Sequence, residues 1–136
     1  MIFLLALWLA FGDIAAVKGE PDLEKRSELA LANADHDVDA ARQAYSGGDE
    51  NATQAALSEL TDSIEVCYDA LQHARTPPRK SKYYKRAELK VSALIRRLRG
   101  FRDEVSFDSR PPVEAALKKL SDVHDDLIAD IMSKKK

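Results

Sequence analysis

The feature that most constrains the fold of this chain is a 3-4-3-4 spacing of apolar residues, which recurs in four segments. Glycine pairs, proline pairs or short polar runs separate these segments. Such spacing places the apolar side chains along one face of an α-helix, whereas a half-buried strand would alternate apolar and polar residues. The pattern therefore predicts four amphipathic helices and no sheet.

Each predicted helix is defined by its apolar stripe and by the residues at its start. The first helix starts at Pro21-Asp22 and carries Leu31, Ala34, Val38, Ala41 and Tyr45. The second follows Asp49 or Asn51, either of which suits an N-cap, and carries Leu57, Leu60, Ile64, Cys67, Leu71 and Ala74. The third follows Ser81 and carries Tyr84, Ala87, Val91, Leu94, Leu98, Phe101 and Val105. The fourth opens at Pro111-Pro112 and carries Val113, Ala116, Leu120, Val123, Leu127 and Ile131.

The length of the chain and its short connections favour one particular class of fold. A chain of 136 residues has room for one domain with one core. Short connections between long helices make neighbouring helices antiparallel. We therefore expect an all-α domain over residues 20–136, either an up-down four-helix bundle or two stacked helical hairpins. Gly100, inside the third stripe, predicts a close helix crossing or a bend.

The first 19 residues have the pattern of a signal peptide. Ile2 to Phe11 form an apolar run, which Gly12 and Asp13 end before the small residues Ala15 and Ala16. The run is shorter than the roughly 20 apolar residues that a membrane span needs. We expect cleavage after Ala16 or Gly19, export to the periplasm or the medium, and a soluble mature chain. A first core helix of the domain is the alternative.

Two stretches resemble known helical proteins. Ala41, Ala44, Tyr45, Gly48 and Asp49 resemble the turn between the helices of a tetratricopeptide repeat, a family that binds peptides. That resemblance implies a helix turn alone, because no 34-residue period follows. Residues 79–136 resemble small exported bacterial helical proteins of unknown function, which implies export and helicity and assigns no site residue.

Charge is strongly segregated along the chain, although the formal net charge is only −2. Residues 20–72 contain 13 acidic and 3 basic residues, whereas residues 75–102 contain 11 basic residues and one acidic residue, Glu88. One interpretation is that the acidic helices neutralise the basic helix inside the bundle and thereby select its register. The other is an exposed basic face that binds a polyanion.

The residues proposed for that basic face are Arg79, Lys80, Lys82, Lys85 and Arg86, with Tyr83 and Tyr84 beside them. An anionic envelope polymer or a lipid surface would suit them. Nucleic acid is disfavoured, because the chain carries an export signal, a net negative charge and no known nucleic-acid-binding motif.

The sequence assigns no catalytic residue, metal site or cofactor. Asp35-His36-Asp37 with Asp39, His73 with Asp69, and His124 offer weak binding of a divalent metal, but solvated helix faces are the favoured explanation. No Glu-x-x-His, Gly-rich phosphate loop or nucleophile motif occurs. The single cysteine, Cys67, predicts a buried thiol. We expect a non-enzymatic exported bundle that acts through an unidentified protein partner, and a homodimer if a second subunit fills the alanine-rich first stripe.

Overall fold

The computed structural model describes residues 13–133 and contains five α-helices. They are α1 (Ile14–Lys18), α2 (Leu23–Ser46), α3 (Glu50–His73), α4 (Lys82–Glu104) and α5 (Arg110–Met132), and short 3-10 turns at Pro78–Lys80 and Phe107–Ser109 precede α4 and α5. Residues 13–133 contain no strand. The all-α prediction is therefore confirmed. In this described range no helix is long and apolar enough to cross a membrane.

Side-chain caps explain where three of the long helices begin. The carboxylate of Asp22 accepts hydrogen bonds from two backbone N–H groups of the first turn of α2, so this helix begins two residues after Pro21. Asp49, rather than Asn51, caps α3, and Ser81 caps α4 as predicted. Each cap satisfies backbone donors that a helix start leaves unpaired. In α5, Pro111-Pro112 occupies the first turn, where no such donor is needed.

The four long helices form two antiparallel hairpins stacked on each other. Helices α2 and α3 form the first hairpin, α4 and α5 form the second, and α2 lies on α4 while α3 lies on α5. Both inter-hairpin contacts are parallel, because Glu28 near the start of α2 pairs with Arg86, and Arg42 near its end pairs with Glu104. The stacked-hairpin form of the predicted fold is the one observed.

Nearly all predicted stripe residues are buried in one core. Every apolar residue of the third stripe is buried, from Tyr84 to Val105. The exceptions are Tyr45, Ala74 and Ile131, which lie near the ends of the bundle and keep partial exposure. The alanine-rich face of α2 packs against α3 of the same chain, with Ala34 and Ala56 fully buried. The homodimer stays a prediction, but the alanine-rich stripe no longer supports it, because α3 of the same chain already covers that stripe.

The predicted buried thiol is observed, and a short additional helix packs on the first hairpin. Cys67 is 1% exposed, and burial raises the pKa of its thiol to about 12. Helix α1 contacts α2 and α3 and contributes Val17 to the core. Positions 1–12 of the predicted signal segment lie outside the described residues. The signal peptide stays a prediction.

Substitutions at Gly48 and Gly100 test whether the fold requires a residue without a side chain at these two positions. A Cβ at Gly100 would meet only the Arg42 guanidinium, at 3.6 Å, which is an ordinary contact. Gly48 has a φ of 76°, which L-residues adopt only at a cost. We expect Gly100→Ala to raise the free energy of unfolding by about 1 kcal/mol. Gly48→Ala should lower it by about 1 to 2 kcal/mol.

Urea denaturation followed by circular dichroism measures both changes. Loss of stability in Gly100→Ala would mean that the close crossing predicted at Gly100 exists and that α4 packs differently there.

Candidate functional site

The acidic helix α2 and the basic helix α4 lie side by side and neutralise each other along their middle. Arg97 donates to Asp35 at 2.6 Å and also to Asp39, and Lys90, about two turns earlier in α4, also pairs with Asp35. Arg86 donates to Glu28 at 2.9 Å. Internal neutralisation, the first interpretation of the charge pattern, therefore accounts for this part of the basic helix.

Arg86 belongs to this paired set and not to a free basic face. Besides its bond to Glu28, its guanidinium lies 5.6 Å from the centre of the Tyr83 ring. Lys82 lies over the same ring, at 5.3 Å. Tyr84 is only 2% exposed, because it belongs to the apolar stripe of α4, so it does not lie on the surface beside the cations. Tyr83 alone is the aromatic residue of the basic surface.

The other four predicted cations, together with Arg75, form what we call the basic end: Arg75, Arg79, Lys80, Lys82 and Lys85. All five are exposed, and in residues 13–133 none of them joins an ion pair. They lie where α3 and α5 end and α4 begins. Arg75, which follows α3 and precedes Pro77-Pro78, is the one member of the basic end that the predicted face did not include.

A cavity of about 690 Å³ opens at the basic end. Arg75, Arg79 and Lys80 line it, together with the end of α3, the connection to α4 and the end of α5. Its apolar walls include Leu71, Ala74, Pro77 and Pro78. The cavity thus combines exposed positive charge with an apolar surface.

Two tyrosine hydroxyls hold the single acidic residue that lines this cavity within the described chain. The Tyr68 hydroxyl donates to Asp130 Oδ2 at 2.7 Å, and the Tyr84 hydroxyl donates to the same oxygen at 3.2 Å. Burial is the main cause that raises the pKa of both tyrosines above 10, and the Asp130 carboxylate raises both pKa values further. Asp130 is therefore turned toward the helices that pack beside it.

The residues considered for metal binding lie apart or are already paired. Asp35 and Asp39 bind Arg97, and His36 is exposed. Asp37 is fully buried and accepts hydrogen bonds from Asn33 and Ser63 at 3.4 Å, so it is not part of a solvated face. The part of the chain that the structure describes contains no group of three His, Cys, Asp or Glu side chains placed to hold a metal ion.

His73 and His124 each lie beside one carboxylate. His73 is 3.5 Å from Asp69 on the same helix. His124 of α5 is 3.2 Å from Glu88 of α4, so the one acidic residue of the basic stretch faces the second half of its own hairpin.

Comparison of the whole chain with protein-family models, with curated proteins and with solved structures gives no match.

The Arg97 cluster gives a test of the pairing between α2 and α4. Arg97→Gln should lower the free energy of unfolding by about 1 kcal/mol at low salt, because it leaves Asp35 and Asp39 with less positive charge nearby. The loss should shrink at about 1 M NaCl, which screens the remaining charges. Urea denaturation at both salt concentrations measures it.

Arg96→Gln is the matched control, since Arg96 is exposed and bonds only to Ser92 of its own helix in the described chain. It should change stability by less than about 0.5 kcal/mol. Equal losses in the two variants would contradict the pairing.

The tyrosine–aspartate contacts predict an alkaline loss of stability. The folded pKa values of Tyr68 and Tyr84 lie above the ordinary value of 10. Their contribution is therefore present below pH 10 and is lost as the pH rises above it. In the folded protein we therefore expect Tyr68 and Tyr84 to form tyrosinate only above pH 10.

Ultraviolet absorbance of tyrosinate, recorded with circular dichroism during an alkaline titration, measures this. Tyr68→Phe and Tyr84→Phe should each remove one of the tyrosines that ionise only above pH 10. Titration of all tyrosines near pH 10 in a folded protein would show that the Asp130 contacts are absent.

Proposed function

We propose that this chain is a non-enzymatic binding protein and that its basic end binds an anionic polymer or surface. The observation that carries the proposal is the division of the cations into two sets. Arg86, Lys90 and Arg97 are paired with α2, whereas the five of the basic end have no ion-pair partner among residues 13–133. Arg96 and Arg99 also have no ion-pair partner in that range, but they lie about three turns or more along α4 from Lys85 and are not part of the basic end. Exposed cations that no internal acid neutralises attract a polyanion through long-range electrostatics.

The register of the two parallel helices explains why the basic end has no internal partner. Glu28 of α2 is level with Arg86 of α4, so the start of α2 at Leu23 is level with the start of α4. The connection that carries Arg75, Arg79 and Lys80 therefore lies beyond the acidic stretch of α2. These cations are left for an external anion.

Binding at a lipid surface would use the charges and not the apolar face of α4. Val91, Leu94 and Leu98 are fully buried, so inserting this face into a bilayer would open the core. Head-group contact by exposed lysine and arginine needs no such change. Export is the companion proposal, supported by the signal-like pattern of the sequence, and the intact mass of protein recovered from cells measures the processed N-terminus.

The salt dependence of binding to a sulfated polysaccharide tests the proposal. We expect retention at low salt and a steep fall of affinity as salt rises, because binding releases counterions from the polymer. Replacing Lys80, Lys82 and Lys85 by Gln should lower the slope of log K against log salt by about 2 to 3, the value for three lost contacts.

The matched control replaces Arg102, Lys118 and Lys119 by Gln. These residues carry the same total charge, and each pairs with an acidic residue of the chain, Asp103, Asp122 and Glu65 respectively. The control variant should keep the slope of the unmodified protein. No retention at low salt, or an equal loss in both variants, would refute the proposal.

A further inference from the structure

The cavity at the basic end has the features of a site for a small ligand. This inference rests on the proposed function, because the cavity uses part of the same cationic surface. Among residues 13–133, three cations, Arg75, Arg79 and Lys80, line it against one acid, Asp130. The lining is thus left with two uncompensated positive charges. A volume of about 690 Å³ lies within the range of small-molecule sites.

Asp130 forms no ion pair with these cations among the described residues. Its Oδ2 accepts hydrogen bonds from the hydroxyls of Tyr68 and Tyr84, which come from two different helices. In the described part of the chain Asp130 joins no ion pair. A carboxylate held by two neutral donors stays at the wall of the cavity, and the three cations remain available to a ligand.

The kind of charge on the lining favours a phosphate monoester. A phosphate monoester carries a charge of about −1.5 to −2 at pH 7, which matches the two uncompensated positive charges. Arginine guanidinium groups present two parallel N–H donors to a phosphate, and a lysine adds a point charge. A carboxylate carries only half of this charge and offers two oxygens instead of three.

The apolar walls favour an organic group on the phosphate. Leu71, Ala74, Pro77 and Pro78 line the cavity beside the cations, and Tyr84 lines it as well. An inorganic phosphate would leave these side chains in contact with water. A ligand with a ring or a short chain would cover them and gain from the burial.

We propose that this cavity binds the phosphate monoester group of a ligand with an apolar body, with Arg75, Arg79 and Lys80 around the phosphate and the 71–78 wall against the body. The phosphate comes either from a small soluble ester or from the head group of phosphatidic acid. Both sources present the same terminal phosphate.

Titration with 1-naphthyl phosphate, followed by amide chemical shifts, tests the soluble source. We expect saturable shifts confined to residues 71–84 and the end of α5. Inorganic phosphate and 1-naphthoate should each bind at least about tenfold more weakly, since one lacks the apolar body and the other lacks the second negative charge. Equal binding of 1-naphthoate would overturn the assignment to a phosphate.

Replacing Arg75 and Arg79 by Gln should weaken 1-naphthyl phosphate binding by about tenfold or more, as expected for the loss of two charge-assisted contacts. Both side chains are exposed, so the variant should keep the circular dichroism of the folded protein. The variant Arg75→Lys with Arg79→Lys keeps the charge and removes the paired N–H donors of the guanidinium groups. Its affinity for 1-naphthyl phosphate should lie between those of the unmodified protein and the Gln variant. The matched control is Arg96→Gln with Arg99→Gln, two exposed cations of α4 that do not line the cavity.

Vesicles of phosphatidylcholine with and without phosphatidic acid test the second source. Binding that requires phosphatidic acid, and that 1-naphthyl phosphate displaces, supports a lipid head group. Soluble binding without vesicle binding supports a free ester. If neither probe binds while the sulfated polysaccharide is still retained, the cavity proposal fails and the proposed function stands. If all three fail to bind, both are wrong.

Discussion

The bundle depends on removing one apolar stripe of each long helix from water, and the positions of the charged residues follow from it. The stripe of α4 turns inward from Tyr84 to Val105, which leaves the basic residues of the same helix at its flanks and on its outer side. Hydrophobic burial has no direction of its own. Burial of the stripe sets the rotation of each helix about its own axis, and this rotation determines which charged side chains can come into contact.

Pairing between α2 and α4 is the first consequence. Two parallel helices of similar length, one acidic and one basic, meet along their middle, and Asp35 and Asp39 share the Arg97 guanidinium. Exposed pairs of this kind contribute only about 0 to 1 kcal/mol each. Their larger effect is on register, because a shift of one helix past the other would separate Asp35 and Asp39 from Lys90 and Arg97. The basic end is the part of the charge pattern that this register leaves outside.

Polar groups inside the bundle act in the same way at shorter range. Asn33, Asp37 and Ser63 form a buried hydrogen-bonded cluster between α2 and α3. Buried polar groups cost free energy unless they find partners, so one relative position of α2 and α3 is favoured over its neighbours. Between the two hairpins, the hydroxyls of Tyr68 of α3 and Tyr84 of α4 donate hydrogen bonds to Asp130 of α5. These bonds connect three helices at the wall of the cavity. Both clusters turn an ambiguous apolar packing into a specific one.

The apolar spacing and the capping residues by themselves determined the four long helices, their starts within two residues and nearly all of the core, because periodicity and capping are local properties of the chain. The short helix α1 lies inside the stretch that the sequence assigned to a signal peptide, and the spacing did not predict it. Only the tertiary structure decided the rest. It turned Asp37 inward from a run of acids that spacing alone placed on a solvated face, and it paired Arg86 with Glu28 while leaving Lys85 exposed. It also brought Asp130 to Tyr68 and Tyr84 across 62 and 46 residues. These outcomes depend on which helix lies beside which, and a stripe on one helix carries no information about its neighbour.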